Sequence, residues 1–296
     1  MTDAADRPAG GRLYVVATPI GNLADISLRA IEVLGSVALI AAEDTRMSSR
    51  LLDRHGIATR TTSYHARSGP ARERQLLDAL RSGADVALVS DAGTPGVSDP
   101  GESLVAAWAG EGGTVVPIPG ASSVLAALVA SGLAGPRWSF EGFLPRSGRD
   151  RRERIARIAA DERTTVLFEA PNRVAATLGD LAMACGVDRP AAVCRELTKL
   201  HEEVVRGGLG VLAQLGRNGE LTLRGEFAIV VGERRRAIRG DDSPGSPTDA
   251  AAEAVTAALA EVDRLVEAGT SRGAAAKQVA ASTGIPRRRL YEAPDR

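Results

Sequence analysis

The sequence predicts an α/β protein: two α/β domains with a ligand cleft between them, followed by a small helical tail. Three observations carry this. Short apolar runs alternate with segments of helical spacing over residues 12–134, the texture turns strand-rich over 135–236, and a stretch of Gly, Asp, Ser and Pro at 237–249 precedes an Ala-rich segment over 250–296. Alternation of the first kind indicates a mostly parallel sheet covered by helices, and the second texture indicates a mixed sheet. With 296 residues the chain has room for about two domains of ~100–200 residues each.

Leu13–Ala17, Val37–Ala42, Ala84–Ser90 and Thr114–Ile118 are short, apolar and bounded by turn residues, as buried strands are. Ile26–Leu34, Ser48–His55, Ala71–Arg81 and Ser103–Glu111 carry helical spacing, and a helix of small and apolar residues follows Ser122 and Ser123. The domain boundary falls in Ser131–Arg137, where Gly132, Gly135 and Pro136 interrupt the pattern. Beyond it Trp138–Phe143, Thr164–Glu169, Ala191–Arg195, Glu203–Arg206 and Glu226–Val231 read as strands. Arg151–Ala160, Arg173–Cys185 and a shorter segment near Leu209–Leu215 read as helices. In the tail, Ala250–Ala268 and Gly273–Ser282 are helix formers, and Arg287–Tyr291 forms a short basic helix after a Gly-containing turn. That order resembles a helix-turn-helix unit, with a helical tail packed on the body or on a partner subunit as the equal alternative.

Acids and bases balance at 37 each, so no global basic field announces a nucleic-acid partner. Such a partner would depend on local clusters: Arg146, Arg149, Arg151, Arg152 and Arg154, then Arg234–Arg236, then Arg287–Arg289. Nearly every base is Arg, with only Lys199 and Lys277 as exceptions, a bias that genome base composition explains more readily than phosphate recognition does. Cys185 and Cys194 lie in apolar stretches, which argues against a disulfide framework and fits a reducing cytoplasm. The three histidines show no zinc-like spacing, so no metal is expected. No segment offers the ~18 uninterrupted apolar residues of a membrane span. Met1–Gly11 is polar and small rather than an apolar signal core, so a cytoplasmic protein without a membrane partner is expected.

The candidate chemistry sits at strand ends. The first strand runs into Thr18-Pro19-Ile20-Gly21-Asn22-Leu23, a bend in which a residue without Cβ lets the backbone approach a ligand. In open α/β sheets ligands sit outside these carboxyl ends. The bend is not the Gly-x-Gly-x-x-Gly fingerprint, which disfavours a dinucleotide. Asp91-Ala92-Gly93-Thr94-Pro95 with Asp99-Pro100-Gly101 makes a dense Gly/Pro loop after another strand. Pro119-Gly120-Ala121-Ser122-Ser123 opens a helix whose free amides suit a carboxylate or a ribose hydroxyl, while capping alone is the simpler reading of one serine. Glu43-Asp44-Thr45-Arg46 is read evenly as helix capping or as function. Phe168-Glu169-Ala170-Pro171-Asn172-Arg173 ends a strand and opens a helix. Arg195–Glu203 concentrates charge at another strand end, although charge runs are usually solvated faces.

Taken together, Ala17–Leu23, Ala42–Arg46, Ser90–Pro95, Asp99–Gly101 and Pro119-Gly120 resemble one family, as do Glu141–Pro145, Arg195–Lys199 and Gly225-Glu226. They resemble the 16S rRNA (cytidine-2′-O)-methyltransferases of the tetrapyrrole methylase superfamily, class III S-adenosylmethionine-dependent enzymes. The likeness runs from about Arg12 to Gly232 in the family's order. The Ala-Arg-Ser-Gly-Pro-Ala-Arg segment after Tyr64-His65 and the linker Asp241–Asp249 depart from it. The resemblance implies a tetrapyrrole methylase-like fold, a homodimer, S-adenosylmethionine folded into the cleft, and a decoding-site cytidine of the 30S subunit's RNA as substrate. It also implies cofactor contacts at Pro19, Gly21, Asp91, Gly93, Thr94, Ser122 and Ser123, with backbone contacts near Phe168, Leu197 and Ala228.

A ribose hydroxyl is a poor nucleophile at neutral pH, so a base or a cation beside it should help. The candidates are Glu196 and Lys199, with Asp44 and Arg46 facing them across the cleft. A neutral Lys199 would take the proton, whereas a charged one would stabilise the alkoxide. Two rival readings remain at this stage. A tetrapyrrole methyltransferase of cobalamin or sirohaem synthesis would need a large apolar cleft. A non-enzymatic nucleic-acid-binding regulator would bind duplex DNA through its tail.

Overall fold

Four short, mostly aliphatic runs and one polar one pair in parallel to form the first sheet. They are β1 (Arg12–Val16), β2 (Leu39–Ala42), β3 (Thr61–Ser63), β4 (Val86–Val89) and β5 (Thr114–Ile118), in the order β3-β2-β4-β1-β5. The computed structural model describes residues 10–234, 247–283, 285 and 290. Most of the predicted linker, Arg235, Arg236, and the basic helix with Arg287–Arg289 lie outside the described residues, as does nearly all of the polar N-terminal stretch. Central strands need apolar residues on both faces because helices cover both. Every residue of β4 is accordingly buried. The Thr-Thr-Ser strand β3 pairs only with β2 at the edge, and having no apolar pattern it escaped the sequence reading.

The helices α1 (Leu28–Ser36), α2 (Thr45–Arg54), α3 (Pro70–Arg81) and α4 (Glu102–Gly110) connect these strands. Their starts follow the usual capping chemistry. Ser27 accepts from the Ala30 amide, Asp44 from the Arg46 amide, and Pro70 opens α3. Predicted and observed ends differ by a few residues at most.

The second sheet has the order β6-β7-β10-β8-β9, from β6 (Trp138–Phe143), β7 (Thr164–Glu169), β8 (Pro190–Arg195), β9 (Glu203–Gly208) and β10 (Phe227–Val231). It is mixed: β6 and β7 run parallel, and β10 runs antiparallel to both β7 and β8. The two-residue period of a strand divides β10 cleanly between faces. Phe227, Ile229 and Val231 join the core under α6 (Gly148–Ala160), α7 (Val174–Cys185) and α8 (Leu209–Asn218). Ala228 and Val230 face α5 (Ser123–Ser131) with Ala192 and Cys194. The small residues of that face let α5 lie close to the sheet. By chain order α5 belongs to the parallel half, yet its apolar residues Val124, Ala127 and Leu128 are buried on the second sheet. The two halves therefore share a core, within the unit Met1–Arg236.

A buried ionic network fixes the ends of β6 and β7. Glu169 is fully buried, accepts from Thr177 Oγ1 at 2.6 Å and from the Ala170 amide at 2.8 Å, and forms an ion pair with Arg173 Nε at 3.3 Å. Arg151 donates to Asp180 at 2.7 Å, to Thr177 Oγ1 at 3.0 Å and to the Pro145 carbonyl. Arg173 donates to the carbonyls of Leu144 and Pro145. Thr177→Val would remove a hydroxyl that bridges both charged groups while keeping the side-chain shape. The loss expected in urea unfolding is about 1–3 kcal/mol, the cost of leaving buried polar groups unpaired.

Ala237–Arg296 forms a separate unit. Its helices α9 (Pro247–Glu267) and α10 (Arg272–Thr283) enclose a small core that includes Val262, Ala275, Ala276 and Val279.

Candidate functional site

The loops at the carboxyl ends of β1, β4 and β5 meet the face of the second sheet beside the start of α5. Between them lies a cavity of about 330 Å³, within the ~300–1,000 Å³ typical of small-molecule sites. Seven of the predicted contacts line it: Gly93, Thr94, Ser122, Ser123, Phe168, Leu197 and Ala228. Ser122 also caps α5, accepting from the Leu125 amide at 3.4 Å. Pro19, Gly21 and Asp91 line an adjoining cavity of about 340 Å³, which shares Ile20, Ala92 and Glu226 with the first.

The β1 loop is held from both sides. Thr18 and Gly93 exchange backbone hydrogen bonds at 2.8 and 3.0 Å, joining it to the β4 loop. On the other side Thr198 Oγ1 accepts from the Asn22 amide at 3.2 Å. A Cβ on Gly21 would stand 2.4 Å from Lys199 Cγ and 3.0 Å from the Leu197 carbonyl oxygen. Glycine here lets the β1 loop lie directly against the Leu197–Lys199 segment.

Lys199 also lines the adjoining cavity. Its Nζ donates to Glu196 Oε1 at 2.9 Å and to Glu226 Oε2 at 2.5 Å. Burial disfavours the charge on Lys199, but these two carboxylates outweigh it and hold the ammonium above its ordinary value. Of the two roles read from the sequence, the charged one fits. Glu196 lines neither cavity: it accepts from Lys199 and from the Glu226 amide at 2.9 Å. The hydrogen bond from Lys199 is the main reason its carboxyl is held below the usual range, which makes it a poor base and a good support. Asp44 and Arg46 line neither of these two cavities. They pair with each other at 2.8 Å, Arg46 is 89 % exposed, and Arg46 holds the Asp44 carboxyl down to about 2.

Two further groups carry chemistry that the sequence reading quoted within motifs but did not single out. Glu226, beside Lys199, borders both cavities. Asp99 lines the first cavity, and burial, reinforced by Glu43 and Asp91 against a hydrogen bond from Ser90, pushes it up to about 6. Because the folded chain binds this proton more tightly than the unfolded one, Asp99 opposes folding above about pH 6, an effect absent below the ordinary carboxylate range. Asp99→Asn should therefore raise the melting temperature at pH 7.5 and leave it nearly unchanged at pH 4. An equal shift at both values would contradict this origin.

Only three non-glycine residues among the described ones have positive φ: Ser98 at 64°, Glu196 at 50° and Thr198 at 67°. Such conformations cost about 1–3 kcal/mol each and persist where the surroundings over-determine them. All three sit at this site. Of the first arginine cluster, Arg149 pairs with Glu153, Arg151 with Asp180 and Arg154 with Glu141. Arg146 and Arg152 stay exposed. Among the described residues no helix is long and apolar enough to cross a membrane, and no group of three His, Cys, Asp or Glu side chains is arranged to hold a metal.

A parallel sheet and a mixed sheet with a cavity between their facing loops make an α/β architecture built around a small-molecule site. The model of the tetrapyrrole (corrin/porphyrin) methylases matches residues 12–213, and the chain belongs to that family. Among its relatives are proteins named ribosomal RNA small subunit methyltransferase I. That of Synechocystis sp. is 44% identical, over 95% of this chain and 96% of its own length. That of Halalkalibacterium halodurans is 40% identical, over 95% and 93%. Among solved structures, the cobalamin biosynthetic enzyme cobalt precorrin-4 methyltransferase aligns over 75% of this chain and 94% of its own, with TM-score 0.56 and 18% identity. A uroporphyrin-III C-methyltransferase from Thermus thermophilus, complexed with S-adenosyl homocysteine, aligns over 75% and 98%, with TM-score 0.53 and 21% identity. These two share the fold.

Proposed function

We propose that this chain uses S-adenosylmethionine to methylate the ribose 2′-hydroxyl of a decoding-site cytidine in 16S ribosomal RNA, acting as a cytoplasmic homodimer on the 30S subunit or its RNA. The observation that carries the reading is identity of 40–44% over nearly the whole length to proteins bearing the small-subunit rRNA methyltransferase name. The tetrapyrrole enzymes are alike only at the level of fold.

The residues of the first cavity suit the cofactor. Apolar walls at Ile20, Leu197 and Ala228 suit an adenine ring, and the hydroxyls of Thr94, Ser122 and Ser123 suit ribose and carboxylate oxygens. The half-buried carboxyl of Asp99 suits a ligand of positive charge. Bound there, S-adenosylmethionine supplies an activated methyl group. The chain's own contribution is alignment, which can be worth ~7–11 kcal/mol of barrier for well-oriented reactants. In this reading Pro19, Gly21 and Asp91 shape the acceptor side. Lys199 stabilises the charge developing on the ribose oxygen, and the Glu226 carboxylate beside it takes the hydroxyl proton. Glu196 holds Lys199 in position.

The test is to incubate the protein with labelled S-adenosylmethionine and 30S subunits lacking the modification, then identify the labelled nucleoside by mass spectrometry. Label in 2′-O-methylcytidine is expected. Label on a base would overturn the ribose chemistry, and no label in RNA would overturn the substrate.

A further inference from the structure

A third cavity, of about 810 Å³, adjoins the cofactor cavity and shares Phe143 and Ala170 with it. Three features of its wall converge. The first is Phe143 itself, one of four phenylalanines in the chain, with 56 % of its surface exposed. The register of β6 against β7 shifts between Phe140 and Phe143. Gly142, within that shift, has φ +60°, where a Cβ would be strained and would stand 3.1 Å from Ser98 Oγ. A bulge of this kind re-aims the side chain beside it. The exposed ring is backed by Phe168 at 5.5 Å between centroids, and Phe168 meets Phe140 edge-on at 4.9 Å. An aromatic shelf thus stands at the rim of the cavity.

The second feature is the charge. Arg151 and Arg173 also line this cavity, but Asp180 and Glu169 neutralise them. Arg146 lines it too and is exposed, with no ion-pair partner among the described residues. The third is Asn172, exposed on the same wall, whose amide can both donate and accept. An exposed ring beside an unpaired guanidinium and a free amide is the combination that binds single-stranded nucleic acid: the ring stacks a base, the guanidinium takes a phosphate, and the amide reads an edge.

We infer that Phe143 is a stacking platform for an unpaired RNA base next to the methylated nucleotide, and that Arg146 holds the adjoining phosphate. The inference rests on the rRNA reading above and makes the edge formed by Phe143, Arg146 and Asn172 the side from which the RNA enters. Phe143 and Arg146 then act as positioning residues, since neither touches the reacting atoms.

The experiment measures kcat and KM for undermodified 30S subunits, and separately the cofactor dissociation constant by calorimetry, for the full chain and four variants. Phe143→Leu is expected to raise KM for the 30S particle about tenfold, the size of one lost base–aromatic stack, with the loss falling on KM rather than kcat. Phe143→Tyr should restore it. Arg146→Ala should raise KM severalfold and lower the salt slope of RNA binding by about one, while Arg146→Lys keeps most of both. An unchanged KM in both Phe143→Leu and Arg146→Ala would overturn the inference. So would a loss that falls on cofactor affinity, or a change in oligomeric state, which would make Phe143 a cofactor wall or a subunit contact. If the unaltered chain labels no RNA, the rRNA reading fails and this inference with it. If it labels RNA and the variants match it, this inference fails while the rRNA reading stands.

Discussion

Lys199→Ala is expected to lower the methylation rate at saturating RNA by about 10²–10³-fold, the usual cost of removing one preorganised group that meets developing charge. The expectation rests on geometry: its ammonium is fixed by Glu196 at 2.9 Å and Glu226 at 2.5 Å on the wall of the cavity that adjoins the first. Because the folded chain holds its proton more tightly than an ordinary lysine does, the charge and the stability it contributes are present throughout the neutral range. They are lost only as pH rises past the ordinary lysine value and through the folded one. The rate should therefore show no acid limb from Lys199. A lysine acting as a neutral base would instead show rates rising steeply with pH into the alkaline range. Lys199→Arg should recover part of the rate, since the charge returns but the planar fork meets the two carboxylates differently. Wild-type turnover in Lys199→Ala would remove Lys199 from the chemistry.

Gly21→Ala should cost about 100-fold in kcat/KM while leaving the fold intact, since displacements near 1 Å at a reacting centre have effects of that size. A single methyl at Gly21 would lie 2.4 Å from Lys199 Cγ, 2.8 Å from Thr198 Oγ1 and 3.0 Å from the Leu197 carbonyl oxygen. The lysine stem can swing away, but the carbonyl belongs to a loop held by left-handed residues and by the Thr198 amide donating to Glu202 at 2.6 Å. The β1 loop must then retreat, carrying Pro19 and Ile20 with it. Gly21 is itself exposed, so the melting temperature should move by only a few degrees. A variant that melts normally and keeps full activity would show that this contact does not set the geometry.

The local signals that composed the fold were strong. Short runs bounded by turn residues marked nine of the ten strands among the described residues, and only the polar edge strand β3 gave no such signal. The caps at Asp44 and Ser122 stood in view as local signals, while the cap at Ser27 was absorbed into the helix read from Ile26. The loop strings also named most of the cavity wall, since glycines, prolines and hydroxyls at strand ends have few other reasons to cluster.

Partnership was not legible. Nothing in the string Arg195–Lys199 says that Glu196 turns its carboxylate to Lys199 and the Glu226 amide, because that contact spans 30 residues and depends on how β8 and β10 pair. The string Glu43–Arg46, read evenly as helix cap or as function, places Asp44 at the start of α2 with Arg46 as its counter-ion, a pairing the string does not announce. Asp99 has an unremarkable sequence context; burial next to Glu43 and Asp91 is what raises its pKa. Phe143 reads as one more strand residue until a shift in register turns it outward. Patterning along the chain decided which segments become strands and helices, because burial period and capping are local properties. Which charges meet, which ring is exposed and where α5 packs were decided by the pairing of distant strands, since electrostatics and packing act through space and not along the chain.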